Sequence, residues 1–118
     1  MKNKIDKRRD PRIPVDWPVA LITSQGTLNG KTLNISAGGS ALVYFLRTPE
    51  TSSYFSTIFK VSEDHEIYVP CQMIWSDKII CDEKVYNGLG VRFTDISSSD
   101  RKFLSTLVTE YYLSLIHI

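Results

Sequence analysis

The chain has 118 residues, 42% apolar and 23% charged, with a formal net charge of +1. That length is one domain, able to bury about two thirds of its unfolded surface without disulfides or metal. No apolar run approaches the roughly 18 residues that a membrane span requires, which excludes membrane insertion by a helix.

The charge is unevenly placed: six of the fourteen Lys and Arg residues fall in the first twelve positions, beside two acids. A basic arm on a near-neutral body suits an anionic partner of limited size. A nucleic acid polymer would instead be met by basic residues spread over the fold. The segment Met1-Lys2-Asn3-Lys4-Ile5-Asp6-Lys7 lacks the hydrophobic middle of a secretory signal, so a cytoplasmic protein is expected. In that compartment Cys71 and Cys81, both in apolar, strand-like surroundings, are expected to stay free thiols.

Met1 to Arg9 shows no apolar periodicity and is expected to be mobile until something binds. Pro11 and Pro14 disfavour helix in the residues before them, so Arg12-Ile13-Pro14-Val15 should be extended. The chain thus divides into a basic arm over residues 1–12 and a folded domain over residues 13–118.

Trp17 to Thr23 reads as a first strand, Ser24-Gln25-Gly26 as its turn, and Thr27 to Ile35 as a second strand interrupted at Asn29-Gly30. Ser40 to Leu46 is a third. Between the second and third lies Asn34-Ile35-Ser36-Ala37-Gly38-Gly39, whose glycine pair lets the backbone reach φ > 0 and approach a neighbour closely. Arg47 to Ser53 reads as a loop. Tyr54 to Val61 and Glu66 to Ser76 are further strands across the polar turn Ser62-Glu63-Asp64-His65. In the latter, Ile67, Val69, Cys71, Met73 and Trp75 fall on one face, the pattern of a barrel strand facing a core.

Asp77 to Asn87 reads as irregular, and Gly88 to Thr94 closes the strand series. Ser97-Ser98-Ser99-Asp100 supplies a helix N-cap with an acid in the first turn. Phe103, Leu104, Leu107, Val108, Tyr111 and Leu115 then recur at helical spacing. Antiparallel strands followed by one helix predict a mainly β fold, a six-stranded barrel with its C-terminal helix covering the barrel mouth or a second copy of the chain.

Two clusters carry chemistry. Arginine offers a planar fork of donors that fits phosphate oxygens and the O6/N7 edge of guanine, and its face stacks on purines. In an extended segment Arg8 and Arg12 point the same way, about 13 Å apart at roughly 3.3 Å per residue, and could grip separate groups of one ligand. Asn34 and Ser36, two apart at a strand end, leave the same face and can bond a base edge, while Gly39 leaves room for the ligand or the arm. The plainer reading is a turn whose Asn and Ser bond their own backbone.

The pair Arg8-x-x-x-Arg12, followed about twenty residues later by Asn34-x-Ser36-x-x-Gly39, resembles the signature of PilZ domains, bacterial receptors for cyclic di-GMP. Arg12-Ile13-Pro14-Val15, Trp75 at the end of a middle strand, and Gly90-Val91-Arg92-Phe93 are similar to PilZ positions as well. The resemblance covers about Arg8 to Leu113. It implies a six-stranded barrel with a C-terminal helix, in which Arg8 and Arg12 contact phosphates and guanines while Asn34 and Ser36 contact a guanine. Gly39 is the family's glycine, with Gly38 beside it, and Arg9 would be a third phosphate contact. Many members carry Asp where this chain has Asn34, and a neutral amide pairs less strongly than a carboxylate with guanine N1-H and N2-H, so weaker binding is expected.

The implied function is a single-domain cyclic di-GMP receptor that changes conformation on binding and signals to a downstream protein, in motility, biofilm or exopolysaccharide control. A homodimer is compatible with the apolar helix. The alternative is a PilZ-like adaptor that binds no nucleotide and acts through that helix. A single-stranded nucleic-acid binder would need aromatic and basic residues interleaved on a sheet face, and the body of this chain is slightly acidic. Neither an enzyme nor a metal site is expected, because His65 and His117 have no partner at the spacing of a metal site or a triad. Trp17, Trp75, Tyr111 and Tyr112 are expected in the core.

Overall fold

The computed structural model describes residues 11–47 and 53–116. Seven strands run in the order β1 (Arg12–Pro14), β2 (Pro18–Thr23), β3 (Gly26–Ser36), β4 (Ser40–Phe45), β5 (Tyr54–Ser62), β6 (His65–Cys81) and β7 (Lys84–Phe93), followed by helix α1 (Ser98–Leu115). All the pairings are antiparallel. The sheet order is β1-β3-β2-β5-β6-β7-β4, and a further pairing of β4 with β3 closes the ring.

β1 and β2 act as one broken strand. Pro14 lies opposite Asn34 and Pro18 opposite Lys31, so both run end to end along one edge of β3. Between them the ladder continues through Val15 N–H to the Leu33 carbonyl and Thr32 N–H to the Trp17 carbonyl. Counting that pair as one strand gives the closed six-stranded antiparallel barrel that the sequence predicts. Closure removes most of the free sheet edge that could attract another chain, leaving β1 and the far end of the β6–β7 hairpin paired on one side only.

Alternation fills the interior. Leu21, Ile35, Val43, Phe45, Phe59, Ile67, Val69 and Val91 are buried with Leu104 of α1. The Cys71 thiol lies among them, its pKa pushed up to about 11 by burial although a hydrogen bond with Thr57 works the other way. A thiol so rarely ionised is a poor nucleophile, in keeping with the structural role expected of it. Both cysteines are free.

Two departures from the sequence reading concern β3 and the hairpin of β6 and β7. Asn29 and Gly30 do not interrupt β3, since they pair with Ala20 and Val19 of β2. Asp77 to Asn87 is not irregular: Ile79 pairs with Tyr86, Ile80 with Val85 and Cys81 with Lys84. The turn is Asp82-Glu83, both at positive φ (51° and 66°), the backbone of a two-residue hairpin turn that Asn-Gly would have announced. Ile80 and Val85 stand exposed on this hairpin.

α1 begins where the Ser-rich segment predicts. The Ser97 hydroxyl accepts from the Asp100 N–H at 3.1 Å, and Asp100 occupies the first turn. Leu104 and Val108 are buried, with Phe103, Leu107 and Tyr111 packed against the same core. Leu107 and Tyr111 share a groove with Ile13, Val15, Trp17 and Val61, so the helix lies across the barrel end where β1, β2 and β5 meet. His65, expected as a solvated turn residue, instead packs edge-on against Phe103 with ring centroids 4.5 Å apart. Leu115, placed on the buried face by periodicity, is exposed with Leu113 and Ile116, because the last turn runs past the barrel.

Candidate functional site

The outer wall of the barrel carries a tile of polar and aromatic side chains in two adjacent cross-strand rows. One row is Arg12, Ser36, Ser40, Arg92 and Gln72, each opposite the next across β1, β3, β4, β7 and β6. The other is Pro14, Asn34, Leu42, Gly90 and Trp75 on the same five strands. The intervening residues Ile13, Ile35, Ala41 and Val91 are buried in the core, which sets the row members on the outer side of the sheet, where Ser36 and Gly90 are nonetheless covered by their neighbours.

Two bulges set this aim. In β3 the register shifts between Thr32 and Asn34, and in β6 between Met73 and Trp75. One extra residue reverses the in-and-out alternation. Thr32 therefore points inward and Asn34 outward, and Trp75 leaves the face it would share with Ile67, Val69 and Cys71. This corrects the expectation of a core Trp75: the indole is 44% exposed. It lies across Gly90, where a Cβ would stand 2.3 Å from the indole nitrogen. Tyr112 is likewise on the surface, whereas Tyr111 and Trp17 pack against the core.

Arg12 is the hub of the polar end. Its guanidinium donates to Asn34 Oδ1 at 2.7 Å and to Ser40 Oγ at 2.8 Å, reaching across β3 to β4. The Ser36 and Ser40 hydroxyls are 3.2 Å apart, and Ser36 Oγ also accepts the Ser40 N–H. Ser40 is a member of this cluster that sequence reading missed. Its signal was the β-turn geometry, since a residue just past a tight turn stands opposite the one just before it. The Arg12 carbonyl in turn accepts the Tyr112 hydroxyl at 2.8 Å, which joins the cluster to α1.

The turn from β3 to β4 contains both glycines. Gly39 has φ +109°, a conformation that L side chains rarely adopt. Its N–H reaches the Ser36 carbonyl at 3.3 Å, and its carbonyl accepts the Phe93 N–H at 2.7 Å, so the turn is fastened to β7. A Cβ on Gly39 would meet Phe93 only at an ordinary 3.7 Å. Backbone conformation, not clearance, is what requires glycine there. Gly38 is exposed beside it.

At the far end of the tile the Arg92 guanidinium donates to Gln72 Oε1. The structure thus brings Arg12, Asn34, Ser36, Gly38 and Gly39 together at one place on the wall, with Ser40 among them. Arg8, Arg9 and the rest of residues 1–10 lie outside the described residues, whereas Arg12, the last residue of the expected arm, is part of β1. Among the described residues no group of three His, Cys, Asp or Glu side chains could hold a metal ion. No helix among them is long and apolar enough to cross a membrane.

A small closed barrel, capped by one helix and bearing a cluster of hydrogen-bonding groups on its outer wall, is the architecture of a particular class of domain. The family model described as PilZ domain matches residues 6–110, and the chain belongs to that family. Comparison with curated protein sequences finds no match.

Solved structures with the same fold include the inhibitor of motility MotI/DgrA of Bacillus subtilis, at a TM-score of 0.77 and 15% identity, over 99% of this chain and 55% of that one. The PilZ domain of YcgR from Escherichia coli, solved with c-di-GMP, gives 0.68 at 18% identity, over 92% and 94% of the two chains. PlzA of Borreliella burgdorferi, in complex with c-di-GMP, gives 0.70 at 13% identity, over 96% and 55%. The chain therefore spans about half the length of MotI/DgrA and PlzA.

Proposed function

We propose that this chain is a cyclic di-GMP receptor, without catalytic activity, whose binding site is the tiled wall together with the basic arm. The observation that carries the reading is the clustering of Arg12, Asn34, Ser36 and Ser40 within hydrogen-bond reach of one another on the barrel wall, with Arg12 exposed, Asn34 and Ser40 half-buried and Ser36 buried beneath them. Solved relatives of the same fold with c-di-GMP bound support the choice of ligand.

The chemistry is suited to that ligand. Asn34 and Ser36 offer an amide and a hydroxyl to a guanine edge. Arg8, Arg9 and Arg12 offer forked donors to the phosphodiesters and to guanine O6/N7. Trp75 presents an aromatic face on the same wall, on which a base can stack. Because the Arg12 guanidinium already rests on Asn34 and Ser40, it is held close to the place where it acts.

Signalling in this reading comes from the arm ahead of β1, which carries Arg8 and Arg9, closing over the ligand and changing the surface that a downstream protein sees. The exposed Leu113, Leu115 and Ile116 at the end of α1, close to the Tyr112–Arg12 contact, are where we place that partner, which can be a second copy of this chain. A cytoplasmic location belongs to the same reading.

The test is an NMR titration with cyclic di-GMP. Large shifts at the amides of Arg12, Asn34, Ser36 and Gly39 and at the Trp75 indole N–H are expected. A titration that moves none of them leaves the adaptor reading in its place.

A further inference from the structure

The recognised cluster occupies the β1–β3–β4 end of the wall, but the row containing Arg12, Ser36 and Ser40 continues through Arg92 to Gln72. Arg92 stands directly opposite Ser40, whose hydroxyl receives the Arg12 guanidinium at 2.8 Å. It is two strand spacings from Ser36, roughly 10 Å by the usual interval of about 4.8 Å. A single dinucleotide-sized ligand resting on Ser36 and Ser40 would reach it.

Its setting is that of a binding group more than of a stabilising ion pair. Arg92 is exposed, and among the described residues it makes no ion pair with a carboxylate. What it has is a neutral partner, Gln72 Oε1, on the strand beyond. That bond orients the guanidinium while leaving its full charge, and most of its five donors, for something else. Trp75 of β6 lies in the next row, opposite Gly90, which is two residues from Arg92 along β7, so an aromatic plane and a cation flank the same patch of wall.

We propose that Arg92 is a further ligand-binding residue of this site, taking a phosphodiester oxygen of the cyclic dinucleotide on the side away from the arm, with Gln72 as its positioning residue. The proposal rests on the cyclic di-GMP reading above. It adds a contact supplied by the rigid barrel to those supplied by the arm.

The experiment is calorimetry with cyclic di-GMP at fixed salt on the full chain and on Arg92→Ala, Arg92→Lys and Gln72→Ala, each paired with a thermal melt. A charge-assisted contact of this kind predicts about tenfold weaker binding for Arg92→Ala. Arg92→Lys should recover part of the loss, because the charge remains while the planar fork is gone. Gln72→Ala should lose about threefold, as expected when orientation alone is relaxed. The melts should stay within a degree or two of the unsubstituted chain.

Unchanged affinity in Arg92→Ala, with the unsubstituted chain binding normally, overturns the role of Arg92 and leaves the receptor reading standing. A loss equal in Arg92→Ala and Arg92→Lys with a depressed melting temperature also overturns it, since the residue is then a strand-pairing element. Failure of the unsubstituted chain to bind overturns the receptor reading itself.

Discussion

The Tyr112 hydroxyl donates to the Arg12 carbonyl at 2.8 Å, a contact between residues one hundred positions apart. The Arg12 backbone is thereby fastened to α1 while its side chain reaches Asn34 and Ser40. A shift of the Arg12 backbone would strain this bond to the last turns of the helix. Tyr112→Phe removes the bond and keeps the ring, so a cost of about 1 kcal/mol or less is expected in denaturant unfolding. Hydrogen exchange in the final turn of α1 should quicken; unchanged exchange there would mean that β1 and the helix end are not coupled.

Thr32 is the by-product of the bulge that turns Asn34 outward. The reversal sends its side chain into the core, where the hydroxyl is buried without a hydrogen-bond partner among the described residues. A buried, unsatisfied hydroxyl costs free energy, and valine has nearly the same shape. Thr32→Val is expected to raise stability by about 1 kcal/mol in chemical denaturation. A loss of stability would show that the hydroxyl is satisfied.

Gly90 is the seat of the Trp75 indole. An added Cβ would stand 2.3 Å from the ring nitrogen and 2.6 Å from the adjacent ring carbon, too close for both to stay. Because the indole is on the surface it can swing aside, so Gly90→Ala should cost about 1 kcal/mol, at the low end of overpacking effects. The displaced ring should show in tryptophan fluorescence as emission shifted to the red. In this account cyclic di-GMP binding weakens as well, and an unshifted spectrum would contradict the seating of Trp75 on Gly90.

The barrel was legible because each strand obeys alternation and the helix obeys its own period. Ile67, Val69 and Cys71 face inward as their spacing predicts, and Ser97 caps α1 as a serine before an acid should. Trp75 was misplaced because a bulge leaves no mark in the period: Ile74 looks like any strand residue, yet it turns the next side chain to the other face. The end of the hairpin of β6 and β7 was missed for a related reason. Asp82 and Glu83 take positive φ without the Asn or Gly that would signal it.

At the site, Asn34 and Ser36 were readable from a two-residue spacing that survives because their bulge precedes both. Ser40 and Arg92 were not, since their place beside Arg12 exists only through the pairing of β3 with β4 and β4 with β7. Spacing along the chain carries residues of one strand. Residues brought together across strands require the register.

The most direct test of the receptor reading is calorimetry of cyclic di-GMP against the unsubstituted chain and Arg12→Ala. Binding by the former and at least a tenfold loss in the latter are expected, since Arg12 is the residue from which Asn34, Ser40 and the helix end are all reached. Equal affinity in the two proteins, or no heat with either, would contradict it.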